Sequence, residues 1–342
     1  MRVIGLDIGG ANLKASDGET VSMSRRFPLW REPDRLAAAL GDLLRSFNGF
    51  DGIAVTMTGE LADCFTTKRE GVAHILDAVR EAAGGGAIVQ VWQSGGEFVD
   101  VETARELTPL VAAANWHALA AWAGRMAPDG ASLLIDIGST TCDVIPIENG
   151  IPMPAGRTDP ERLQTGELVY SGIWRTPVCV VVDSLPFRGS DVPAAAELFA
   201  TMLDVYLLLG HIAEDPGNRE TANGRSATVE AARDRMARMI CADRDAVSLE
   251  DAQSMAAAVA QEQLHQIGSA LERVLVNLTG PCQAVLTSGE GEFLARRLIS
   301  SSASLADVTS ISLAEALGRE HSSAACAFAL ARLGRERVFS EQ

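Results

Sequence analysis

Two short stretches of this chain repeat each other, and the repeat limits what it can fold into more than any other feature. Gly5-Leu6-Asp7-Ile8-Gly9-Gly10-Ala11 is echoed by Leu134-Ile135-Asp136-Ile137-Gly138-Ser139-Thr140, with Asp7 and Asp136 129 residues apart. Each copy ends an apolar, β-branched run with Asp-Ile-Gly, the pattern of a buried strand breaking into a tight loop. Internal repetition outranks local motifs as a guide to architecture. Two matching strand-to-loop devices, one in each half, predict a duplicated fold whose halves face a shared cleft.

The periodicities around the repeat alternate, which predicts α/β layers. Strands are expected at 3–7, 52–57, 87–92, 132–137, 142–147, 178–183, 284–288 and 304–311. Helices are expected at 34–47, 71–83, 107–126, 191–209, 228–241, 251–278, from Gly291 through Leu298, and at 313–333. The chain divides into lobes at 1–130 and 131–342. The second lobe carries a helical insertion, and the C-terminal helix returns to the first. The Pro- and Gly-containing stretch 147–177 is read as lying between the lobes.

Composition narrows the function. The chain has 342 residues, 47% hydrophobic and 22% charged, close to globular averages. Its 29 Lys and Arg against 45 Asp and Glu give a net charge of −16. That balance argues against nucleic acid, whose phosphates need a basic face, and against an anionic membrane surface. The apolar start meets Asp7 too soon for a signal-peptide core. The apolar stretch 110–127 holds Asn115, His117 and Arg125, so it does not read as a membrane span. The six cysteines form no C-x-x-C pair, which predicts reduced thiols and a cytoplasmic protein.

The loops carry the candidate chemistry. In the first, Gly9 and Gly10 free the backbone to approach an anion, Asn12 adds a donor and Lys14 a positive charge. Asp7 suits phosphate binding only with Mg²⁺ between them. In the second, Gly138, Ser139, Thr140 and Thr141 form a dense donor set, with Asp136 and Asp143 as candidates for metal or proton handling. In the third, Gly289-Glu290-Gly291 opens a helix. Helix starts attract anions, although Glu290 and Glu292 read equally well as complements of the helix dipole. Glu60 follows a strand. Asn115 is either a core amide or a ligand donor, whereas Trp116 and His117 read as structural. Arg175 is a candidate for pairing with an anionic substrate. Asp204, on an apolar helix, is either a structural ion pair or a site residue. The turn 221–225 either lines the cleft or is a simple loop.

Two Asp-x-Gly loops and a late Gly-x-Gly loop resemble the actin, sugar-kinase and heat-shock-chaperone superfamily. The resemblance implies an actin-like, ribonuclease H-like duplicated α/β fold of two lobes around a central cleft, binding nucleotide phosphates and Mg²⁺. Residues 7–14, 134–141, 166–170, Arg175-Thr176-Pro177, Phe199-Ala200-Thr201 and Gly291-Glu292-Phe293-Leu294 are together similar to a narrower group. These are the hydantoinase/oxoprolinase-like proteins of the tetrahydromethanopterin-linked one-carbon pathway, and the similarity covers essentially the whole chain. Asn223 and Cys142 depart from that pattern, where Asp and Thr are usual.

This resemblance implies a transferase of methanofuran or methanofuran-analogue biosynthesis. It would join an aminomethylfuran-methyl diphosphate to the phenol of a γ-glutamyltyramine- or tyrosine-type acceptor, releasing diphosphate. The phosphate loops, Gly289 and Gly291 included, would hold the diphosphate, and Asp7 and Asp136 would position Mg²⁺. Asn115, Arg175 and Asp204 would contact substrate. Asp143, Glu60 and Glu167 are the candidate bases, in no order. A homodimer stays open. Two alternatives remain: an ATP-dependent kinase or hydantoinase/oxoprolinase-type hydrolase, and an actin-like nucleotide switch.

Overall fold

The computed structural model describes residues 2–338; Met1 and residues 339–342, the outer ends of the two expected lobes, lie outside the described residues. β1 (Val3–Ile8), β2 (Asn12–Ser16) and β3 (Ser22–Arg26) form an antiparallel meander. β4 (Gly52–Met57) and β5 (Ile88–Trp92) add in parallel beyond β1, and β6 (Phe98–Asp100) closes that edge. The sheet order is β3-β2-β1-β4-β5-β6. β1 and β4 are buried along their whole length, which is why they read as unbroken apolar runs.

The second sheet repeats the plan. β7 (Ala131–Ile137) and β8 (Cys142–Glu148) form an antiparallel hairpin, extended at β8 by β9 (Ile151–Pro152) and β10 (Leu168–Val169). β11 (Ser184–Phe187) and β12 (Ser190–Pro193) make a separate ribbon. β13 (Ala284–Ser288) lies parallel to β7, and β14 (Thr309–Ser312) parallel to β13. In both sheets the first strand is central, with its antiparallel partner on one side and later parallel strands on the other.

Two helices join the sheets. Asn115–Ala123 and Ala325–Arg337 share one buried cluster with Val3, Ala54 and Trp92 of the first sheet and Leu134, Ile145 and Leu286 of the second. The C-terminal helix thus returns to β1. Its small residues allow a close approach: a Cβ on Gly5 would stand 1.9 Å from the Ala327 carbonyl oxygen. Helices Leu36–Leu44 and Lys68–Ala83 cover the outer face of the first sheet. Helices Met202–Leu208, Val229–Arg238, Leu249–Val276 and Glu292–Ser301 cover that of the second.

Several expected elements differ. The helix expected at 107–126 breaks where Ala113 takes φ 49, so that Asn115 heads a new helix. Of the helix expected at 191–209 only Met202–Leu208 forms; residues 190–193 belong to a hairpin, because Arg188 and Gly189 (φ 49 and 82) form the left-handed two-residue turn that suits strand twist. Residues 178–180 are a 3₁₀ turn, not a strand. Gly318 (φ 81) interrupts the closing helix. The stretch 147–177 does not separate the lobes; β9 and β10 within it pair with β8. β2 and β3 went unread, since the polar repeat loop runs directly into β2. No helix among the described residues is long and apolar enough to cross a membrane.

Candidate active site

The two repeat loops share the hydrogen bond that closes them. The Gly9 amide donates to the Asn12 carbonyl at 2.9 Å, and the Gly138 amide to the Thr141 carbonyl at 2.9 Å. Neighbouring segments bind the tip carbonyls of both loops. Leu29 donates to Gly10 and Phe27 to Ala11 (3.0 and 2.9 Å); Ile173 donates to Gly138 (3.1 Å), and Trp174 and Arg175 both donate to Ser139 (3.0 Å). Acceptors are thereby satisfied at the loop tips, as an anion-receiving loop requires. Gly172 is needed for this docking, because a Cβ there would lie 2.5 Å from the Thr140 amide nitrogen.

Strand register sets the charges. Asp7 pairs across the ladder with Lys14, and Asp136 with Asp143. Lys14 and Asp143 therefore occupy corresponding places in the two hairpins but carry opposite charge. Asp143 is ion-paired with Arg162, whose Nη2 donates to its Oδ1 at 2.7 Å while the guanidinium lies 3.9 Å over the Trp116 ring.

The charges of the two hairpins act on one another. Burial raises the Asp7 carboxyl above the usual carboxylate range, and Lys14 draws it back. Burial, then Asp143, push Asp136 up to about 7; Lys14 and the Ser288 hydroxyl oppose this, and Asp7 adds to it. Burial opposes the charge on Lys14, but Asp7, Cys326, Asp136 and Glu290 outweigh it and raise its pKa. Such coupling falls with distance, so Asp7, Lys14 and Asp136 lie near one another where the two hairpins meet. Oδ1 of Asp7 is buried there without a partner. Among the described residues no group of three or more His, Cys, Asp or Glu is arranged to hold a metal.

The third loop is docked on the second. The Gly291 amide donates to the Ile137 carbonyl at 2.9 Å. Gly289 (φ 88) lies so close that a Cβ would stand 2.2 Å from that carbonyl oxygen and 2.6 Å from Asp136 Oδ1. Glu292 accepts from Ser312 Oγ and the Ala314 amide, so it anchors β14. Asn115, at the head of its helix, reaches Cys326 at 3.9 Å, and the charges of Asp7, Asp136 and Asp143 all bear on that thiol. Asn115 therefore stands beside the hairpins.

Three expected site residues are committed elsewhere. Asp143 is held by Arg162 and is no free base. Glu167 accepts from the Ala155 and Gly156 amides and from Thr165 Oγ1 (2.6, 2.9 and 3.1 Å), which makes it an anchor for the loop before helix Asp159–Thr165. Asp204 is fully buried against Arg235, itself fully buried, at 2.6 Å, and it also caps its own helix. Of its two readings, the structural ion pair is the one observed. Asn223 in the turn 221–225 accepts from the same Arg235.

Glu60 differs from these. It is 1% exposed, its Oε2 has no partner, and Lys68 Nζ stands 3.8 Å from its Oε1. Burial pushes its carboxyl up to about 7; its own amide, Lys68 and the Ala113 amide oppose the shift, and Asp159 adds to it. Lys68 also reaches Asp159 at 3.0 Å, tying the first sheet's helix to the second lobe. Lys68, Arg162 and Trp30 were not foreseen. Lys68 and Arg162 lie on helices whose starts carry a Ser/Thr-x-x-Glu signal, Thr67/Glu70 and Thr158/Glu161, whereas Trp30 had none.

Two facing sheets of one strand order, each ending its first strand in an Asp-x-Gly hairpin where the two meet, define an actin-like, duplicated ribonuclease H-like fold. An acetone carboxylase solved in its nucleotide-free form shares it (TM-score 0.52, 13% identity, over 96% of this chain and 70% of that one). The family model for hydantoinase/oxoprolinase matches residues 51–336, and the chain belongs to that family. A relative from Methanocaldococcus jannaschii is 33% identical over 97% of both chains. It is named (4-{4-[2-(gamma-L-glutamylamino)ethyl]phenoxymethyl}furan-2-yl)methanamine synthase. A protein of the same name from Methanococcus vannielii is 32% identical over 36% of this chain and 55% of its own length.

Proposed function

We propose that this protein transfers an aminomethylfuran-methyl group from its diphosphate ester to the phenol oxygen of γ-glutamyltyramine or a tyrosine-type acceptor. The carbon–oxygen bond to diphosphate breaks, an aryl ether forms, and no ATP is consumed. The product serves tetrahydromethanopterin-linked one-carbon metabolism as methanofuran or an analogue. The observation that carries the reading is the matched pair of Asp-x-Gly hairpins, one ending the first strand of each sheet, with Asp7, Lys14 and Asp136 close enough to act on one another. The full-length relative, named for the ether product, supports the choice of substrates.

A leaving diphosphate needs donors and positive charge as the bond to carbon breaks. Gly9, Gly10, Asn12 and Lys14 on one side and Gly138, Ser139, Thr140 and Thr141 on the other supply them, with Gly289 and Gly291 holding the second hairpin in place. The unpartnered Asp7 oxygen and the raised Asp136 carboxyl are an unmet demand for positive charge. Mg²⁺ fits that demand, because it binds through one or two carboxylates plus substrate phosphates. Asp7 and Asp136 would hold it, and bound there it would neutralise charge on the diphosphate. Glu60 is the remaining base candidate: buried, partly unpartnered and poised near neutrality, it accepts the phenol proton.

Mass spectrometry of purified protein with the furfuryl diphosphate, Mg²⁺ and either phenol tests the reading. The expected product is the ether, with one diphosphate per ether and no ATP present. Turnover only with ATP, yielding ADP, would replace it with a kinase or ATP-dependent hydrolase.

A further inference from the structure

One contact joins the two lobes beside the hairpin tips. Trp30 follows the segment whose Phe27 and Leu29 amides bind the first hairpin tip, and the Arg175 amide binds the second. The Arg175 guanidinium carbon lies 5.6 Å from the Trp30 ring centroid, and that of Arg31 lies 6.0 Å from the same ring. The buried Arg162–Trp116 pair, by contrast, is closed to 3.9 Å. A separation near the outer limit of about 6 Å, with Arg175 exposed to solvent, describes a pair that opens at little cost. A second contact between the lobes is made by Arg26, 3.3 Å from Asn218 and 3.6 Å from Glu220.

We infer that Trp30 and Arg175 form the acceptor subsite, the indole face stacking on the acceptor's aromatic ring and the guanidinium binding its carboxylate tail. The inference rests on the proposed reaction for the identity of the acceptor. Each half of the subsite is fixed to one diphosphate-binding hairpin, so an acceptor held there lies against the donor group. Because the two residues come from opposite lobes, a bound aromatic acid draws the lobes together over the reaction. Trp30 reads the ring and Arg175 reads the charge, which separates their effects on ligands having one or both features.

The test combines calorimetry with kinetics on the full chain, using γ-glutamyltyramine and tyramine, which lacks the carboxylate. Trp30→Ala is expected to weaken binding and raise KM for both phenols by about three- to tenfold, with Trp30→Phe restoring most of it. Arg175→Met is expected to weaken γ-glutamyltyramine by about tenfold and leave tyramine within twofold. In both variants KM for the diphosphate donor stays unchanged. Variants that raise the donor KM, or leave both phenols unaffected while wild-type protein makes ether, overturn the inference. If phenol binding follows the expected pattern and no ether forms, the subsite stands and the proposed reaction fails. If wild-type protein binds neither phenol, both fall.

Discussion

Asp7→Asn and Asp136→Asn are each expected to lower turnover by at least about a thousandfold while leaving the melting temperature level or slightly raised. Both carboxylates are held above their ordinary range by burial, and Asp7 adds to the rise at Asp136. A buried charge that is incompletely paired costs stability. Asparagine keeps the shape and removes that cost, so the fold does not suffer. The lost charge is the one that would fix a cation against the leaving group, and stabilising developing charge is commonly the largest contribution to such catalysis. Steady-state rates and thermal melts of both variants check this. A large fall in melting temperature in either would recast that aspartate as a structural residue.

The second large effect belongs to Glu60. Glu60→Gln is expected to cost about 10²–10⁴ in kcat, the usual contribution of a general base. With its carboxyl pushed up to about 7, wild-type activity should climb through the neutral range and level off above it, as the base loses its proton. The glutamine variant should lose that limb. Saturating Mg²⁺ would displace the proton from Asp136, the other carboxyl near 7, and leave the limb to Glu60. Stability should move the opposite way. A carboxyl raised in the folded state holds a proton that the unfolded chain gives up, so the stability it contributes is fully present below the ordinary carboxylate range and is lost as pH rises through about 7. Melting temperature should thus fall between mildly acidic and mildly basic pH, and Glu60→Gln should flatten part of that fall. A pH–rate profile and a melt series on both proteins check the two directions together.

Much of this was legible because duplicated chemistry leaves a duplicated text. Asp7 and Asp136 end strands of one kind, and the shared hairpin bond at Gly9 and Gly138 follows from the shared spacing. The central strands and the Gly289 turn were readable for the same reason: buried apolar runs and forced glycines leave strong marks. Charge pairing was not readable. Lys14 and Asp143 occupy matching register positions, but only the fold shows Arg162 cancelling the second. Glu167 reads as a candidate base and Asp204 leaves its two readings open because their donors, two loop amides and Arg235, lie 11, 12 and 31 residues away. The helix at 107–126 was over-read, since an alanine at φ 49 carries no sequence signal. Trp30 was missed because an aromatic residue in a loop gains meaning only from what faces it in the other lobe.

In the proposed reaction two acidic hairpins from opposite lobes grip one Mg²⁺-bound diphosphate. Titration calorimetry of inorganic diphosphate into the wild-type protein, with and without Mg²⁺, checks this. The prediction is one diphosphate per chain, bound only when Mg²⁺ is present and lost in both Asp7→Asn and Asp136→Asn. Binding that needs no Mg²⁺ and survives either substitution would contradict it.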